Sequence, residues 1–317
     1  MENFLYISLG KTGICVSPLG LGCWQWGDRM VWEYGKAYND KDVVDAFQVS
    51  VKAGINFFDT AEVYGLGRSE TLLGQQIRAQ IPDTLPALVA TKFMPFPWRL
   101  GKFQLRNALK NSLGRLGLQK VDLYQVHFPL PPMPVTVWAN GLADVVEAGL
   151  TKAVGVSNYD LKQMNTTLRV LAERGVPLAS NQVEYSLLQR KPETSGLLER
   201  CKEANITLIA YSPLGKGLLS GKYNSTNRPS GSRSRMVNTE FLEKLQPLIA
   251  LMREIGQQHE AKSPAQIALN WAICKGALVI PGAKNAHQAQ ENAGALGWRL
   301  DDAEVAALDK ASLNVQL

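Results

Sequence analysis

The chain has 317 residues, 45% hydrophobic and 20% charged, so it can bury a sizeable core, and one α/β barrel typically needs about 250 residues. The net charge of +6 comes from 34 basic and 28 acidic residues, which are spread along the chain with one compact basic run, Arg228 to Arg235. This excess is too small and too dispersed for a nucleic-acid-binding face. A mildly basic protein does suit a small anionic ligand. The four cysteines are widely separated, with no CxxC pair and no nearby histidine, so the sequence predicts no metal centre. The chain also lacks a signal-peptide pattern and a run of eighteen consecutive apolar residues, which predicts a soluble cytoplasmic protein without membrane contact.

Short β-type runs alternate with longer amphipathic patterns from residue 18 onward. Before them, two short runs around Gly10–Gly13 predict a β-hairpin that covers the floor of the sheet. Repeated βα units are typical of a parallel sheet, and eight of them close a barrel. The sequence therefore predicts an α/β fold, a single (β/α)₈ TIM barrel over residues 1–317. The predicted strands are 19–24, 56–60, 87–93, 121–127, 153–158, 179–185, 207–212 and 277–282.

Two further segments complete the pattern. Residues 216–240, after the seventh predicted strand, are rich in Gly, Ser, Asn and Arg, which predicts the longest loop of the chain. Residues 301–312 begin with acidic residues and carry an apolar stripe, which predicts a C-terminal helix packed outside the barrel.

Four titratable residues lie at or just after successive strand ends. Asp59 ends the second predicted strand and Tyr64 follows it, Lys92 lies near the end of the third, and His127 ends the fourth. Taken singly, Asp59 is ordinarily a helix cap, Tyr64 a loop aromatic and His127 a satisfied polar residue at the core edge. A lysine closing an apolar strand needs a carboxylate partner, and Asp59 is available. Because active sites of parallel barrels form at the strands' C-terminal ends, the four together predict a site.

Carbonyl reduction is the chemistry that fits this set. An alkoxide that forms as hydride arrives needs a proton, and a free tyrosine, with a pKa of about 10, donates poorly at neutral pH. We expect Lys92 to lower the pKa of Tyr64, the proton donor, and Asp59 to hold the lysine charged. His127 would orient the substrate oxygen.

These motifs resemble the aldo-keto reductase family along nearly the whole chain. The DTAEVYG segment, the TK dipeptide and the strand ending in His match the family's Asp, Tyr, Lys and His positions. The resemblance implies reduction of aldehydes or ketones with NADPH. The segments GVSN, NQVEY, AYSPLGKGLLSGKY and VIPGAKNAHQAQEN, with the Trp after the first strand, imply a cofactor site of Trp24, Ser157, Asn158, Gln182, Tyr211, Ser212, Leu214, Gly217, Lys284, Gln288, Glu291 and Asn292.

The adenosine end departs from the commoner family pattern. Many members have an Arg at the position of Gln288 and another basic residue at that of Gly282, whereas this chain resembles the branch with IPGA-type loops. A helix N-terminus after the eighth strand is a ready anion site. The resemblance therefore implies that Lys284 pairs with the 2′-phosphate of NADPH, against the alternative of a solvated loop lysine.

Aromatic residues near the strand ends predict an apolar substrate pocket made by Trp24, Trp26, Phe93, Trp98 and Phe128. Such walls favour aromatic or aliphatic aldehydes over highly charged sugars. The basic run Arg228–Arg235 either admits an acidic substrate or is a solvated face.

Two other function classes stay open. A Schiff-base aldolase, also a barrel, would use Lys92 as nucleophile and would not need a nicotinamide. A non-catalytic NADPH-binding subunit, of the kind found as potassium-channel β-subunits, would act through a partner. For the reductase we expect a small-molecule carbonyl substrate, no nucleic-acid or membrane partner, and a monomer or weak oligomer.

Overall fold

A computed structural model describes residues 5–29, 31–80, 85–229 and 237–316. Its main element is an eight-stranded parallel sheet whose strands are neighbours in chain order. Parallel bridges from Leu19 to Val279 and from Gly22 to Gly282 join the first and last strands and close the barrel. The hairpin strands are β1 Ile7–Ser8 and β2 Cys15–Val16, and the barrel strands are β3 Leu21–Gly22, β4 Phe57–Asp59, β5 Leu88–Phe93, β6 Val121–Val126, β7 Thr151–Ser157, β8 Leu178–Glu184, β9 Thr207–Tyr211 and β10 Leu278–Ile280.

Amphipathic helices surround the barrel. Asp160, for example, accepts a hydrogen bond from the backbone of Gln163 and fixes the start of its helix, which buries Met164 and Leu171 against the barrel. The helices are α1 Asp40–Lys52, α2 Arg68–Arg78, α3 Lys102–Leu116, α4 Val135–Glu147, α5 Leu161–Ala172, α6 Lys191–Thr194, α7 Leu197–Ala204, α8 Thr239–Gln258, α9 Pro264–Cys274, α10 Ala286–Ala293 and α11 Asp302–Ser312; 3₁₀ turns cover Tyr64–Gly67, Gly215–Ser220 and Leu313–Val315.

The hairpin of β1 and β2 closes the end of the barrel opposite the strands' C-terminal ends. Leu9 and Val16 are buried among inward-facing side chains such as Phe57. The backbone nitrogen of Gly10 donates to Thr207 Oγ1 at 2.8 Å. A Cβ on Gly10 would lie 2.6 Å from the carbonyl oxygen of Ala179, so this close approach requires glycine.

The predicted fold is confirmed. Each of the eight predicted runs overlaps a barrel strand, and the hairpin and the C-terminal helix α11 are present. Within the predicted long loop, the structure has a 3₁₀ turn over Gly215–Ser220 and the start of α8 at Thr239. The basic run Arg228–Arg235 lies largely outside the described residues. No helix in the described ranges is long and apolar enough to cross a membrane.

Candidate active site

Three neighbouring strands bring the four predicted titratable residues together. Asp59 ends β4, Lys92 is the second-last residue of β5, and His127 directly follows β6. The backbone of His127 donates to Phe93 O at 2.8 Å, which continues the strand ladder by one residue. Tyr64 begins the 3₁₀ turn after β4, so its ring lies over the same strand ends, 5.6 Å from the imidazole of His127 between ring centroids.

The Lys92 ammonium has a partner for each of its three protons. The side chain is fully buried, and it donates to Asp59 Oδ1, to the Thr60 carbonyl oxygen at 2.9 Å and to Tyr64 Oη at 3.4 Å. A buried ammonium is stable only when it is paired and hydrogen-bonded in this way. With two donors fixed by Asp59 and Thr60, the third is aimed at the tyrosine oxygen.

Burial controls the protonation of Tyr64. Desolvation raises the pKa of the phenol above its ordinary value, and the Lys92 ammonium opposes that rise. Lys92 thus acts in the predicted direction, while the loss of hydration raises the pKa of the phenol by more than the nearby cation lowers it. Tyr64 therefore stays protonated at neutral pH, and Lys92 keeps it more acidic than burial alone would.

His127 is held as a neutral imidazole. Burial, with the Lys92 charge in support, lowers the pKa of His127 well below its ordinary value. Its Nδ1 is buried and has no hydrogen-bond partner in the part of the chain that the structure describes. A neutral imidazole carries one N–H, which can donate to a substrate oxygen without adding a second cation beside Lys92.

This shift predicts a pH-dependent stability difference. The unfolded chain protonates His127 below about pH 6.5 but the folded chain does not, so stability falls as the pH drops through that value. We expect His127→Gln to lack this loss, so that the melting temperature of the wild type falls more than that of the variant between pH 7 and pH 5. Thermal unfolding at both pH values measures it, and parallel losses would contradict the neutral imidazole.

A cavity of about 840 Å³ opens above these strand ends, in the upper part of the roughly 300–1,000 Å³ range of cofactor and substrate sites. Asp59, Tyr64 and His127 line it, whereas Lys92 lies behind them. Every residue that the family resemblance assigned to the cofactor also lines it: Trp24, Ser157, Asn158, Gln182, Tyr211, Ser212, Leu214, Gly217, Lys284, Gln288, Glu291 and Asn292.

Hydrogen bonds hold the central cofactor candidates in fixed positions. Tyr211 Oη donates to Asn158 Oδ1 at 2.9 Å, and Asn158 Nδ2 donates to the His127 carbonyl oxygen at 3.1 Å. Ser157 Oγ donates to the Gln182 carbonyl oxygen at 2.9 Å. Asn158 has a φ of +61°, a left-handed conformation that asparagine tolerates better than most residues. A flat ring bound against these side chains would therefore contact a rigid wall of the cavity.

At the other end of the cavity Lys284 contacts two aromatic rings. Its Nζ lies 5.1 Å from the centroid of the Trp32 ring and 4.9 Å from that of Tyr38, distances that favour cation–π attraction. Asn285 caps α10, and the backbone of Lys284 donates to Gln288 Oε1 at 2.9 Å. Lys284 thus lies beside a capped helix N-terminus.

Gln25 fills the space that Gly282 leaves open. Its Oε1 is buried and lacks a hydrogen-bond partner among the described residues, and a Cβ on Gly282 would lie 2.2 Å from it. A buried oxygen of this kind fits a ligand that brings a donor, such as a ribose hydroxyl. Several lining residues were not predicted from the sequence, and for Gln25 and Trp32 the long connection between β3 and α1 was the available signal. The missed residues include Gln25, Trp32, Glu184, Lys216, Lys222 and His287.

The structure places only two of the five residues predicted for the substrate pocket at the cavity. Trp24 and Phe128 line the cavity. Trp26 is fully buried in the core, where its Nε1 donates to the Ala283 carbonyl oxygen, and Phe93 is fully buried against Trp138. Both are structural, because the backbone turns their side chains behind the cavity wall. Trp98 is 69% exposed, stacks on Phe96 and does not line the cavity.

Comparisons with known proteins agree with this architecture. The Aldo/keto reductase family model matches residues 18–313. A chloroplastic pyridoxal reductase of Arabidopsis thaliana is 40% identical over 310 residues, covering 94% of this chain and 84% of that protein.

Solved structures are similar over nearly their whole length. A thermostable aldo-keto reductase in complex with the inhibitor epalrestat is 31% identical with a TM-score of 0.79, covering 97% of this chain and 100% of that one. An aldo-keto reductase from Klebsiella pneumoniae in complex with NADPH is 27% identical with a TM-score of 0.77, covering 99% and 97%. The chain belongs to the aldo/keto reductase family and is an oxidoreductase.

Proposed function

We propose that this protein reduces small aldehydes and ketones to alcohols with NADPH, and that Tyr64 is the proton donor. The observation that carries the proposal is the Lys92 ammonium, whose third proton is directed at Tyr64 Oη beside the neutral His127 in one cavity. Bound NADPH supplies the hydride that the carbonyl carbon accepts.

The side chains of the site supply the proton that the carbonyl oxygen needs. His127 orients the carbonyl oxygen through its single N–H, and Tyr64 donates its phenolic proton to that oxygen as negative charge develops there. The phenolate left on Tyr64 is stabilised by the adjacent Lys92 ammonium, which Asp59 holds in place. The low-dielectric surroundings strengthen this charge stabilisation.

The cavity residues fit a dinucleotide phosphate. Lys216, Lys222 and Lys284 line it, and the N-terminus of α10 adds backbone donors at the same end as Lys284. The NADPH complex of the Klebsiella relative supports the same cofactor here. The oxygen of Gln25 would meet a ribose hydroxyl.

Lys284→Ala is expected to weaken NADPH binding about tenfold or more and NADH binding far less, because a charge-assisted contact to the 2′-phosphate is lost and NADH lacks that group. Quenching of tryptophan fluorescence measures both dissociation constants. Lys222→Ala removes the same charge from another part of the cavity, and we expect it to affect both cofactors alike. If Lys284→Ala lost affinity for NADPH and NADH equally, Lys284 would not contact the 2′-phosphate.

We propose aromatic aldehydes, with pyridoxal among them, as the substrate class. Trp24 and Phe128 form apolar walls beside the proposed catalytic residues. The Trp24 ring stacks on that of Tyr64 with 6.1 Å between the centroids, and the Phe128 ring stacks on that of His127. Flat rings pack well against such walls. The name of the Arabidopsis relative supports pyridoxal.

A substrate panel with both cofactors tests the function. Loss of NADPH absorbance is followed with 4-nitrobenzaldehyde, pyridoxal and a sugar aldehyde. We expect turnover with the two aromatic aldehydes to exceed that with the sugar, and NADPH to exceed NADH. No NADPH-dependent turnover of any aldehyde would refute the proposal.

The aldolase alternative is disfavoured by the state of Lys92. A Schiff-base lysine needs a depressed pKa to be a nucleophile. Burial alone would lower the pKa of Lys92, but Asp59 and Tyr64 outweigh it and raise that pKa.

The complete Asp, Tyr, Lys and His arrangement favours an enzyme over a binding subunit. Cytoplasmic location and a monomeric or weakly associated state stay predictions.

A further inference from the structure

A buried glutamine lies in the barrel interior directly beneath the proposed catalytic residues. Gln125 is fully buried as the second-last residue of β6, and its register partners are Lys92 on β5 and Gly155 on β7. Inward-facing positions of such barrels are usually filled by branched apolar residues. A buried amide is unfavourable there unless its hydrogen bonds are made, so its contacts need an explanation.

Neighbouring strands leave room for this side chain. A Cβ on Gly155 would lie 3.2 Å from Gln125 Cγ and 2.2 Å from Ser180 Oγ. Any larger residue at position 155 would therefore displace the amide or the serine. Glycine at this place thus allows the amide to reach across the barrel.

The amide of Gln125 is directed at the carboxylate of Asp59. Its Nε2 donates to Asp59 Oδ2 at 3.3 Å, and Gln182 Nε2 donates to the same oxygen at 2.9 Å. Its Oε1 accepts from Ser180 Oγ at 3.5 Å and from Gln182 Nε2 at 3.5 Å. Asp59 Oδ1 is left facing Lys92.

We propose that Gln125 is a positioning residue for the reduction: it fixes the plane of the Asp59 carboxylate so that Oδ1 holds the Lys92 ammonium against Tyr64. This inference rests on the proposed function. Gln182 shares the task, but it also lines the cavity, where a bound cofactor would be a second partner. Gln125 is enclosed by the barrel, so its contact with Asp59 persists whatever occupies the cavity.

The consequence is a defined dependence on pH. The groups that face Lys92 are Asp59 from β4, Tyr64 from the following turn, Cys23 after β3 and His127 after β6. Asp59 helps to keep the pKa of Lys92 above its ordinary value against desolvation. A carboxylate that rotates away would let the ammonium lose its proton at lower pH, and the alkaline limb of the rate profile would follow.

The test compares Gln125→Met, of similar length but unable to donate, with the wild type. We expect kcat for 4-nitrobenzaldehyde to fall about tenfold, as for the loss of one hydrogen bond to a charged group, and the alkaline limb of the kcat profile to move to lower pH. The dissociation constant of NADPH, measured by fluorescence, should stay within about twofold. Ser180→Ala, which loses a contact to Gln125 but none to Asp59, is the matched control and should keep the wild-type profile.

Gln125→Asn is made as a second variant, because the shorter asparagine side chain cannot reach Asp59. It tests the same contact if Gln125→Met does not fold. Wild-type rates and profiles in the folded variants would overturn the inference. So would a lower rate with an unshifted profile and weakened NADPH binding, which is the sign of a merely structural role. An inactive wild type would instead refute the proposed function itself.

Discussion

Tyr64→Phe is expected to lower kcat for aldehyde reduction by about 10²–10⁴-fold, the usual contribution of a general acid. The variant removes only the phenolic oxygen, which is the atom that Lys92 contacts. NADPH affinity should change little, because the hydroxyl acts on the substrate oxygen. Steady-state kinetics and fluorescence titration of NADPH measure the two effects.

A matched control is available in Tyr124→Phe. Tyr124 is buried on β6, and its hydroxyl donates to the Leu105 carbonyl oxygen at 3.3 Å, away from the cavity. That change should cost about 1 kcal/mol of stability and leave the rate unchanged. If Tyr64→Phe keeps most of the wild-type rate, the proton donor has been assigned to the wrong residue.

Lys92→Met has the second large expected effect, on both rate and stability. The rate should fall at least about 10²-fold, because the phenol loses the cation that makes it more acidic. The substitution also leaves the Asp59 carboxylate buried without its ion-pair partner, so the free energy of unfolding should fall by about 3–5 kcal/mol. Kinetics and denaturant unfolding measure these losses.

Lys102→Met is the control for that change. Lys102 forms an exposed ion pair with Asp144, which also has Arg174 as a partner, so its loss should cost at most about 1 kcal/mol. Because Tyr64 and Lys92 act as one unit, the double variant Tyr64→Phe with Lys92→Met should be no slower than the worse single variant. Additive losses would mean that the two residues work independently.

The barrel and its four titratable residues were predictable because their signals are local. Each barrel strand is a short apolar run bounded by turn residues, and the C-terminal ends of parallel strands share one rim. The partnership of Asp59 with Lys92 followed from the need to neutralise a buried lysine. These inferences use spacing and charge, which the sequence displays directly.

Side-chain direction and hydration were not predictable in the same way. Trp24, Trp26 and Phe93 are all aromatic residues near strand ends, so residue type does not distinguish them. The local backbone directs the side chains of Trp26 and Phe93 into the core. Burial raises the pKa of Tyr64 by more than Lys92 lowers it, and burial depends on packing from distant segments. Nothing in the strand sequence VDLYQV marks Gln125 as a partner of Asp59, because the two residues meet only inside the folded barrel.

Hydride transfer from NADPH to the carbonyl carbon can be followed with an isotope label. NADPH deuterated at both positions of the nicotinamide C4 is supplied with an aromatic aldehyde, and the mass of the alcohol product is measured. We expect one deuterium on the carbinol carbon for each aldehyde consumed. An aldehyde that is consumed without NADPH, or a product that carries no deuterium, would refute hydride transfer from the nicotinamide.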